Sequence, residues 1–272
     1  GNSAASAETL QPQEPEPPAR ADTPAEQEVD RIEAPPDVAA PKRLEENTAP
    51  EPAPGAPTVA GGLFFLLNVL TRLGHREWVE AQPAWAEHDI ARRMLAQVLG
   101  RLAVPEDDPA WAIVAARPPR RPPPARFLAP PRWRDGLLSG MGPLRLTDTG
   151  RLFDPSGRLL LGAWHGALPG ALLADCRRAL EVQRTPRALD EDVVDAWLVA
   201  SRRWLRRYAG LGLADVVLRQ ARVTATPTHV DVTLDLHDAD LRVRRAGLDL
   251  DPGWVPWFGR VVAFHYEQAR QP

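Results

Sequence analysis

Residues 60–74 read AGGLFFLLNVLTRLG and form the most apolar run of the 272-residue chain. The leucines at positions 63, 66, 67, 70 and 73 recur at the i, i+3, i+4 spacing of one helix face. The uncharged part, Val59 to Thr71, is 13 residues long, whereas a helix needs about 20 to span a membrane. Gly74 is a typical helix stop. This run therefore predicts a helix that enters a core, and it leaves open whether Phe64 and Phe65 pack inside this protein or against a partner.

The residues before this run have a different composition. Residues 1–58 contain twelve acidic and four basic residues, a net charge of −8, together with twelve prolines and almost no large apolar side chain. Such a segment buries too little apolar surface to offset the entropy lost on ordering. We predict that residues 1–58 form a disordered, acidic, proline-rich tail.

The charge and cysteine content of the rest limit the class of protein. Residues 59–272 carry a net charge of about +5, and their Lys/Arg charge is all arginine, because the single lysine of the chain is Lys42. Several arginines lie in a proline-rich stretch (Arg117, Arg120, Arg121 and Arg126), but no stacking aromatics or recognition helix accompany them, so we expect no nucleic-acid partner. Cys176 is the single cysteine, which excludes an internal disulfide and favours a reducing, cytoplasmic compartment.

The pattern along the chain predicts an α+β fold. A helical region is expected over residues 59–116, within which residues 75–86 read as a loop with two tryptophans. A Pro/Arg-rich strap follows over residues 117–135, where the proline density argues against any regular element. Residues 136–272 are expected to contain helices and a small antiparallel sheet, because residues 229–236 alternate strictly between apolar and polar. Residues 59–272 could form one compact domain.

Potential metal and catalytic residues are better explained as surface groups. Five residues lie within 12 positions: His229, Asp231, Asp235, His237 and Asp240. Alternation on a strand places the first of them on the solvent face, where polar residues are expected in any case. Cys176 reads as an inert thiol in a helix. We therefore predict no catalytic residue, no metal and no cofactor, which makes an enzyme the least favoured class.

Tryptophans give the clearest indication of binding. The chain has nine, and Trp254 and Trp257 flank Val255-Pro256 in a stiff loop from Gly247 to Gly259. Tryptophan is enriched at interface hot spots, although it also fills cores. The predicted protein-contact residues are listed here: Trp254, Trp257, Phe258, Phe64 and Phe65.

Three motifs together resemble a known family. They are GGLFFLLN (61–68), DDPAWAIVA (107–115) and the most specific of them, GLDLDPGWVPWFGRVVAFHY (247–266). The chain resembles a conserved protein encoded in gene clusters of extracellular contractile injection systems, which are phage-tail-like particles. The resemblance covers about residues 59–134 and 200–267. It implies a non-catalytic accessory, structural or assembly component that contacts other particle proteins: sheath, tube, baseplate, cap or the cluster ATPase.

An alternative function follows from charge alone. An acidic tail in front of a basic body is also typical of a general intracellular adaptor, whose tail recruits a basic partner. The two hypotheses differ in whether binding requires the tail.

Overall fold

Helices and two β-sheets share one core in the computed structural model, which describes residues 55–134, 142–165 and 187–268. The predicted α+β class is confirmed, whereas the tail up to residue 54 and Cys176 lie outside the described residues. The helices are α1 (Phe65–Leu73), α2 (His75–Ala81), α3 (Ile90–Arg101), α4 (Pro109–Ile113), α5 (Leu189–Trp204), α6 (Leu213–Val217) and α7 (Leu241–Arg245). The strands are β1 (Ala56–Thr58), β2 (Arg126–Leu128), β3 (Arg145–Leu146), β4 (Arg151–Phe153), β5 (Leu160–Trp164), β6 (Ala221–Ala225), β7 (His229–Asp235), β8 (Gly253–Val255) and β9 (Arg260–Glu267).

The larger sheet is mixed, not antiparallel as predicted. Its strand order is β1-β6-β7-β9-β8, and β7 pairs with β9 in parallel over seven residues, from His229 opposite Val261 to Asp235 opposite Glu267. After β7 the chain passes through α7 and the edge strand β8, so β9 returns in the direction of β7. A second, four-stranded antiparallel sheet has the order β2-β5-β4-β3.

The apolar run at residues 60–74 lies in the core, as predicted. A 3-10 turn, Gly61–Phe64, leads into α1, and Gly74 ends this helix with the left-handed conformation that the sequence indicated (φ 85°). Phe64 and Phe65 have no exposed surface, and the ring of Phe65 packs edge-on against Phe264 at 4.8 Å. The structure therefore places these two phenylalanines inside the protein and does not support them as contact residues.

Gly61 and Gly62 allow this run to approach its neighbours. A Cβ atom on Gly62 would lie 1.8 Å from the backbone oxygen of Val216, and one on Gly61 would lie 2.3 Å from the Cβ of Ala221. Such distances are far inside van der Waals contact. The pair therefore lets the start of α1 lie directly against α6 and β6.

The folded region begins earlier than predicted. Residues 56–58, assigned from composition to the disordered tail, form β1 at the edge of the larger sheet, where Pro57 is tolerated. The Thr58 hydroxyl donates to the Asp108 carboxylate at 2.7 Å, and both side chains are buried. Asp108 also caps α4 by accepting from Ala110 N at 2.9 Å. The composition of residues 1–58 does not indicate this hydrogen bond, because its acceptor, Asp108, lies 50 residues further along the chain.

The proline-rich strap also contains regular structure, contrary to the prediction. Its prolines lie on either side of residues 125–129, which leaves Arg126–Leu128 free to pair with β5 as β2. A 3-10 turn, Pro131–Trp133, follows and buries Trp133. The strap thus contributes an edge strand, β2, to the smaller sheet.

Replacing Gly62 tests the close approach. We expect Gly62→Ala to destabilise the protein by about 3 kcal/mol or more, because the added methyl meets a backbone oxygen that cannot move away independently. Gly100→Ala is the matched control: it lies on α3 with only an ordinary contact to Trp111 at 3.8 Å, and we expect it to stabilise by about 0.5–1 kcal/mol. Urea unfolding measures both, and equal effects would contradict the assignment.

Replacing Thr58 tests the new boundary. We expect Thr58→Val to destabilise by about 1.5–3 kcal/mol, because it keeps the shape but removes the hydroxyl that serves a buried carboxylate. Thr233→Val, on the half-exposed face of β7, is the control and should stay within about 0.5 kcal/mol of the parent protein. A neutral Thr58→Val variant would mean that β1 is dispensable.

Candidate functional site

A cavity of about 340 Å³ lies between α2, the 3-10 turn Pro83–His88, the start of α3 and the loop after β8. This volume is within the range of small-ligand sites. Its lining residues are His75, Arg76, Trp78, Val79, Glu80, Trp85, Ala86, Asp89, Ile90, Ala91, Pro256 and Trp257.

Part of this wall was predicted to be a loop. Residues 75–81 instead form α2, which begins directly after the left-handed turn at Gly74. His75 and Trp78, three positions apart, are its two buried residues. The sequence signal for α2 was the i, i+3 spacing of the aromatic residues His75 and Trp78 directly after Gly74. His75 was not among the predicted site residues because it belongs to no metal or catalytic motif.

Four of the lining residues are aromatic and pack against one another, and three of them, His75, Trp78 and Trp85, are at most 3% exposed. The ring of His75 lies 4.6 Å from the ring of Trp257 and 5.6 Å from that of Trp78, and Trp78 lies 6.1 Å from Trp85. Behind them, Trp197 packs edge-on against His75 at 4.7 Å. These separations are typical of stabilising aromatic pairs.

Two of the indole groups are held in place by β2. Trp78 Nε1 donates to the Leu128 carbonyl at 2.9 Å, and Trp85 Nε1 donates to the Arg126 carbonyl at 3.0 Å. Gln82 both donates to the Leu128 carbonyl and accepts from its N–H, at 2.8 and 3.1 Å. Strand β2 thus fixes the orientation of Trp78 and Trp85, and the indole N–H of each has a hydrogen-bond acceptor.

His75 differs from its neighbours in this respect. Its side chain is buried, and neither ring nitrogen has a hydrogen-bond partner among the described residues. Burial lowers the pKa of His75 from its ordinary 6.5 to about 3, so the imidazole is neutral at physiological pH. A neutral imidazole offers one donor and one acceptor, and leaving buried polar groups unpaired costs about 1–3 kcal/mol each.

Charged groups at the rim are paired with one another. Arg76 Nε lies 2.9 Å from Glu80 Oε1, and Arg92 Nε lies 3.7 Å from Asp89 Oδ2. Burial raises the pKa of Asp89 above its ordinary value, against the opposing effect of Arg92. Asp89 also has a left-handed backbone (φ 47°), an uncommon conformation for a residue with a side chain.

Arg92 connects α3 to the tryptophan loop, which is the segment from Gly247 to Gly259. Its guanidinium donates to the carbonyls of Ile113, at 2.7 Å, and Phe258, and lies over the Phe258 ring at 4.3 Å. Phe258 is buried, so the structure does not support it as a partner contact. Trp257 is half-buried against the cavity, whereas Trp254 is 57% exposed. Of the two tryptophans in the tryptophan loop, Trp254 therefore faces solvent and Trp257 packs beside the cavity.

The polar residues considered as metal ligands form local pairs instead. Asp231 pairs with His265 at 3.3 Å, and Asp235 with His237 at 3.1 Å. Asp240 caps α7 and contacts Arg219 and Arg242. Within the three described ranges, no group of three or more His, Cys, Asp or Glu side chains is placed to hold a metal ion.

Comparisons with known protein families, curated proteins and solved structures found no match for this chain. Among the residues that the structure describes, no helix is long and apolar enough to cross a bilayer.

The burial of His75 predicts acid sensitivity. As pH falls below 6.5, the unfolded chain takes up a proton at His75 that the folded protein does not accept until about pH 3, so folded-state stability falls with pH over this interval. We expect His75 alone to account for about 2 kcal/mol of lost stability between pH 7.5 and pH 5.

Denaturant unfolding of His75→Leu at the two pH values measures this contribution. The pH-dependent loss should shrink by about 2 kcal/mol in this variant, whatever its stability at pH 7.5. His237→Gln is the control because the side chain of His237 is 75% exposed. An unchanged loss in His75→Leu would show that His75 is accessible to protons in the folded protein.

Proposed function

We propose that this protein is a non-catalytic accessory, structural or assembly component of a phage-tail-like contractile injection particle, and that it acts in the cytoplasm through protein–protein contacts. The sequence resemblance at residues 61–68, 107–115 and 247–266 supports the biological setting. The exposure of Trp254 is the structural observation that carries the contact role.

Trp254 occupies a position suited to a partner contact. It is the central residue of β8, which ends the larger sheet and pairs on one side only with β9. Leu250, four residues earlier, is 63% exposed. An exposed indole on an edge strand, four residues after an exposed leucine, matches the composition of interface hot spots, in which tryptophan is enriched.

The segment that carries these residues is held rigidly from behind. Asn68 on α1 donates to the carbonyls of Leu248, at 2.8 Å, and Leu250, at 2.7 Å. Asp251 accepts from Phe264 N at 2.7 Å. A contact surface that is already ordered loses less conformational entropy when it binds, so these bonds favour a recognition role.

The partners proposed are the other proteins of the particle: sheath, tube, baseplate, cap or the cluster ATPase. They follow from the resemblance alone, because the geometry of the contact loop does not distinguish among them. Co-sedimentation with intact particles would indicate a structural component, and association with soluble precursors alone would indicate an assembly factor.

Replacing Trp254 tests the contact surface. We expect the full chain to bind purified particles or one of their purified proteins, and Trp254→Ala to weaken this binding about 30-fold, as for a hot spot worth about 2 kcal/mol. Tyr208→Ala is the control, since Tyr208 is 47% exposed and lies outside the contact loop. Binding to none of these proteins would overturn the particle assignment, and equal binding by both variants would overturn the contact surface.

A deletion separates this proposal from the tail-dependent adaptor. The deletion has to stop at residue 54, because residues 56–58 form β1 and their removal would damage the sheet. Binding should persist without residues 1–54 if Trp254 provides the contact. Loss of binding in the deletion, together with retained binding in Trp254→Ala, would favour recruitment through the acidic tail.

A further inference from the structure

Arg260 is a half-buried cation without a counter-charge. It begins β9, and the alternation of the strand places it on the same side as Val262 and Phe264, which are both buried. Its Nη1 atom is enclosed and has no hydrogen-bond partner, and no carboxylate of the described residues forms an ion pair with it. Arginine is rarely buried unless it is paired, so the surroundings of Arg260 need an explanation.

Two further arginines lie close to Arg260. The guanidinium of Arg92 donates to the carbonyl of Phe258, two residues before Arg260, and to that of Ile113, four residues before Arg117. Burial lowers the pKa of Arg92, and the positive charges of Arg260 and Arg117 lower it further, against the effect of a nearby carboxylate. The three guanidinium groups are therefore close enough to repel one another.

One carboxylate faces these three cations. Asp89 Oδ2 lies 3.7 Å from Arg92 Nε, and Asp89 is the carboxylate among the described residues that acts on the Arg92 charge. Arg93, which also acts on Asp89, is itself paired with Asp190 at 2.6 Å. Three positive charges and one negative charge leave an excess of +2. An excess of one sign in a partly desolvated cluster is unfavourable unless an opposite charge joins it.

The cluster is open to an anion on one side. Whereas Nη1 of Arg260 is enclosed, its Nε and Nη2 atoms have no partner and are not among the enclosed atoms. Arg117 is exposed, and the Arg92 side chain is 16% exposed. The Nε–Nη2 edge of a guanidinium presents two parallel N–H groups, a geometry that matches two oxygens of a carboxylate or phosphate. Because both Nη atoms of Arg92 already bond carbonyls, Arg92 contributes its charge to the cluster.

We propose that Arg117 and Arg260 bind a doubly charged phosphate group, with Arg92 supplying the third positive charge. A phosphate monoester carries a charge of about −1.5 to −2 at pH 7, which matches the excess of +2, whereas a phosphodiester carries a single charge. The group is either free inorganic phosphate or the terminal phosphate of a small organic molecule, because the recognised oxygens are the same. This proposal does not rest on membership of an injection particle.

Calorimetric titration of the full chain with methyl phosphate and dimethyl phosphate tests the charge match. At about pH 7.5 the monoester is doubly charged, because its second pKa is about 6, and constant ionic strength keeps screening equal. We expect methyl phosphate to bind about tenfold more tightly than dimethyl phosphate, since the two differ by one charge. Equal binding of the two esters, or no saturable binding of either methyl phosphate or inorganic phosphate, would overturn the proposal.

Inorganic phosphate distinguishes the two sources of the group. Binding of methyl phosphate at least as tight as that of inorganic phosphate supports an organic phosphate, because the ester oxygen is then accommodated. Binding of inorganic phosphate with exclusion of methyl phosphate supports the free ion.

Arg117→Gln locates the binding without disturbing the core. We expect this variant to bind methyl phosphate or inorganic phosphate, whichever the parent protein binds more tightly, about tenfold more weakly, as for the loss of a hydrogen bond between charged groups. Arg120→Gln is the matched control, because Arg120 is also exposed in the strap but does not act on the Arg92 charge. Equal binding by the two variants would show that phosphate binds elsewhere.

Arg260→Met separates an anion site from a structural role. Without phosphate, we expect the variant to unfold at a temperature at least as high as the parent protein, because an uncompensated charge has been removed. Added phosphate should raise the unfolding temperature of the parent protein and leave that of the variant unchanged. A lower unfolding temperature of the variant in phosphate-free buffer would show that the Arg260 charge is already compensated. That result, or stabilisation of the variant by phosphate, would overturn the assignment.

Discussion

The contact between the Gly61–Gly62 backbone and the Val216–Ala221 segment is the constraint on which the rest of the structure depends. Gly61 N donates to the Arg219 carbonyl at 2.9 Å, and the missing side chains let the two segments lie against each other. The start of α1 is thereby fixed on the larger sheet. Helix α1 begins at Phe65 and ends nine residues further on, at the left-handed Gly74. Because α2 starts directly after Gly74, the same contact also fixes the start of α2 and the position of the buried His75.

Helix α1 also holds the start of the tryptophan loop through side-chain hydrogen bonds. Asn68 holds the carbonyls of Leu248 and Leu250, and Arg72 donates to those of Ala246 and Gly247. The residues that precede β8 are thus bonded to the same helix that leads into the cavity wall. One element therefore positions both the exposed Trp254 and, through α2, the aromatic residues beside the cavity.

Sequence periodicity identified two elements, α1 and β7, from the spacing of their apolar residues. The leucine stripe predicted α1, alternation predicted β7, and Gly74 was correctly expected to end α1. Such signals are local, because each records which side of a short segment faces the core. The α+β class follows from them directly.

What the sequence did not reveal depends on contacts between distant segments. Strand β1 was hidden in a composition typical of disorder, and its burial requires Asp108, which is 50 residues away from Thr58. The parallel pairing of β7 with β9 depends on the path of the chain between them. The cavity combines α2 with the loop at Pro256 and Trp257, and no local pattern joins residues so far apart. The exposure of Trp254 and the burial of Phe64, Phe65 and Phe258 likewise depend on which neighbours the fold supplies.

Polar groups that are satisfied and polar groups that are not lie in the same aromatic cluster beside the cavity. Within one wall, Trp78 and Trp85 have their polar atoms satisfied by β2, which shows that the local fold can meet such requirements. Other groups beside them are less favourable: His75 is buried with both nitrogens unpaired, Trp197 Nε1 next to it is unpaired as well, and Asp89 combines a left-handed backbone with a desolvated carboxylate. Strain and unpaired groups persist only where the surrounding structure is stable enough to hold them. A leucine at position 75 would pack among the same indoles without these costs, so the aromatic packing around His75 has to offset the unpaired nitrogens, and their cost falls on the stability of the fold.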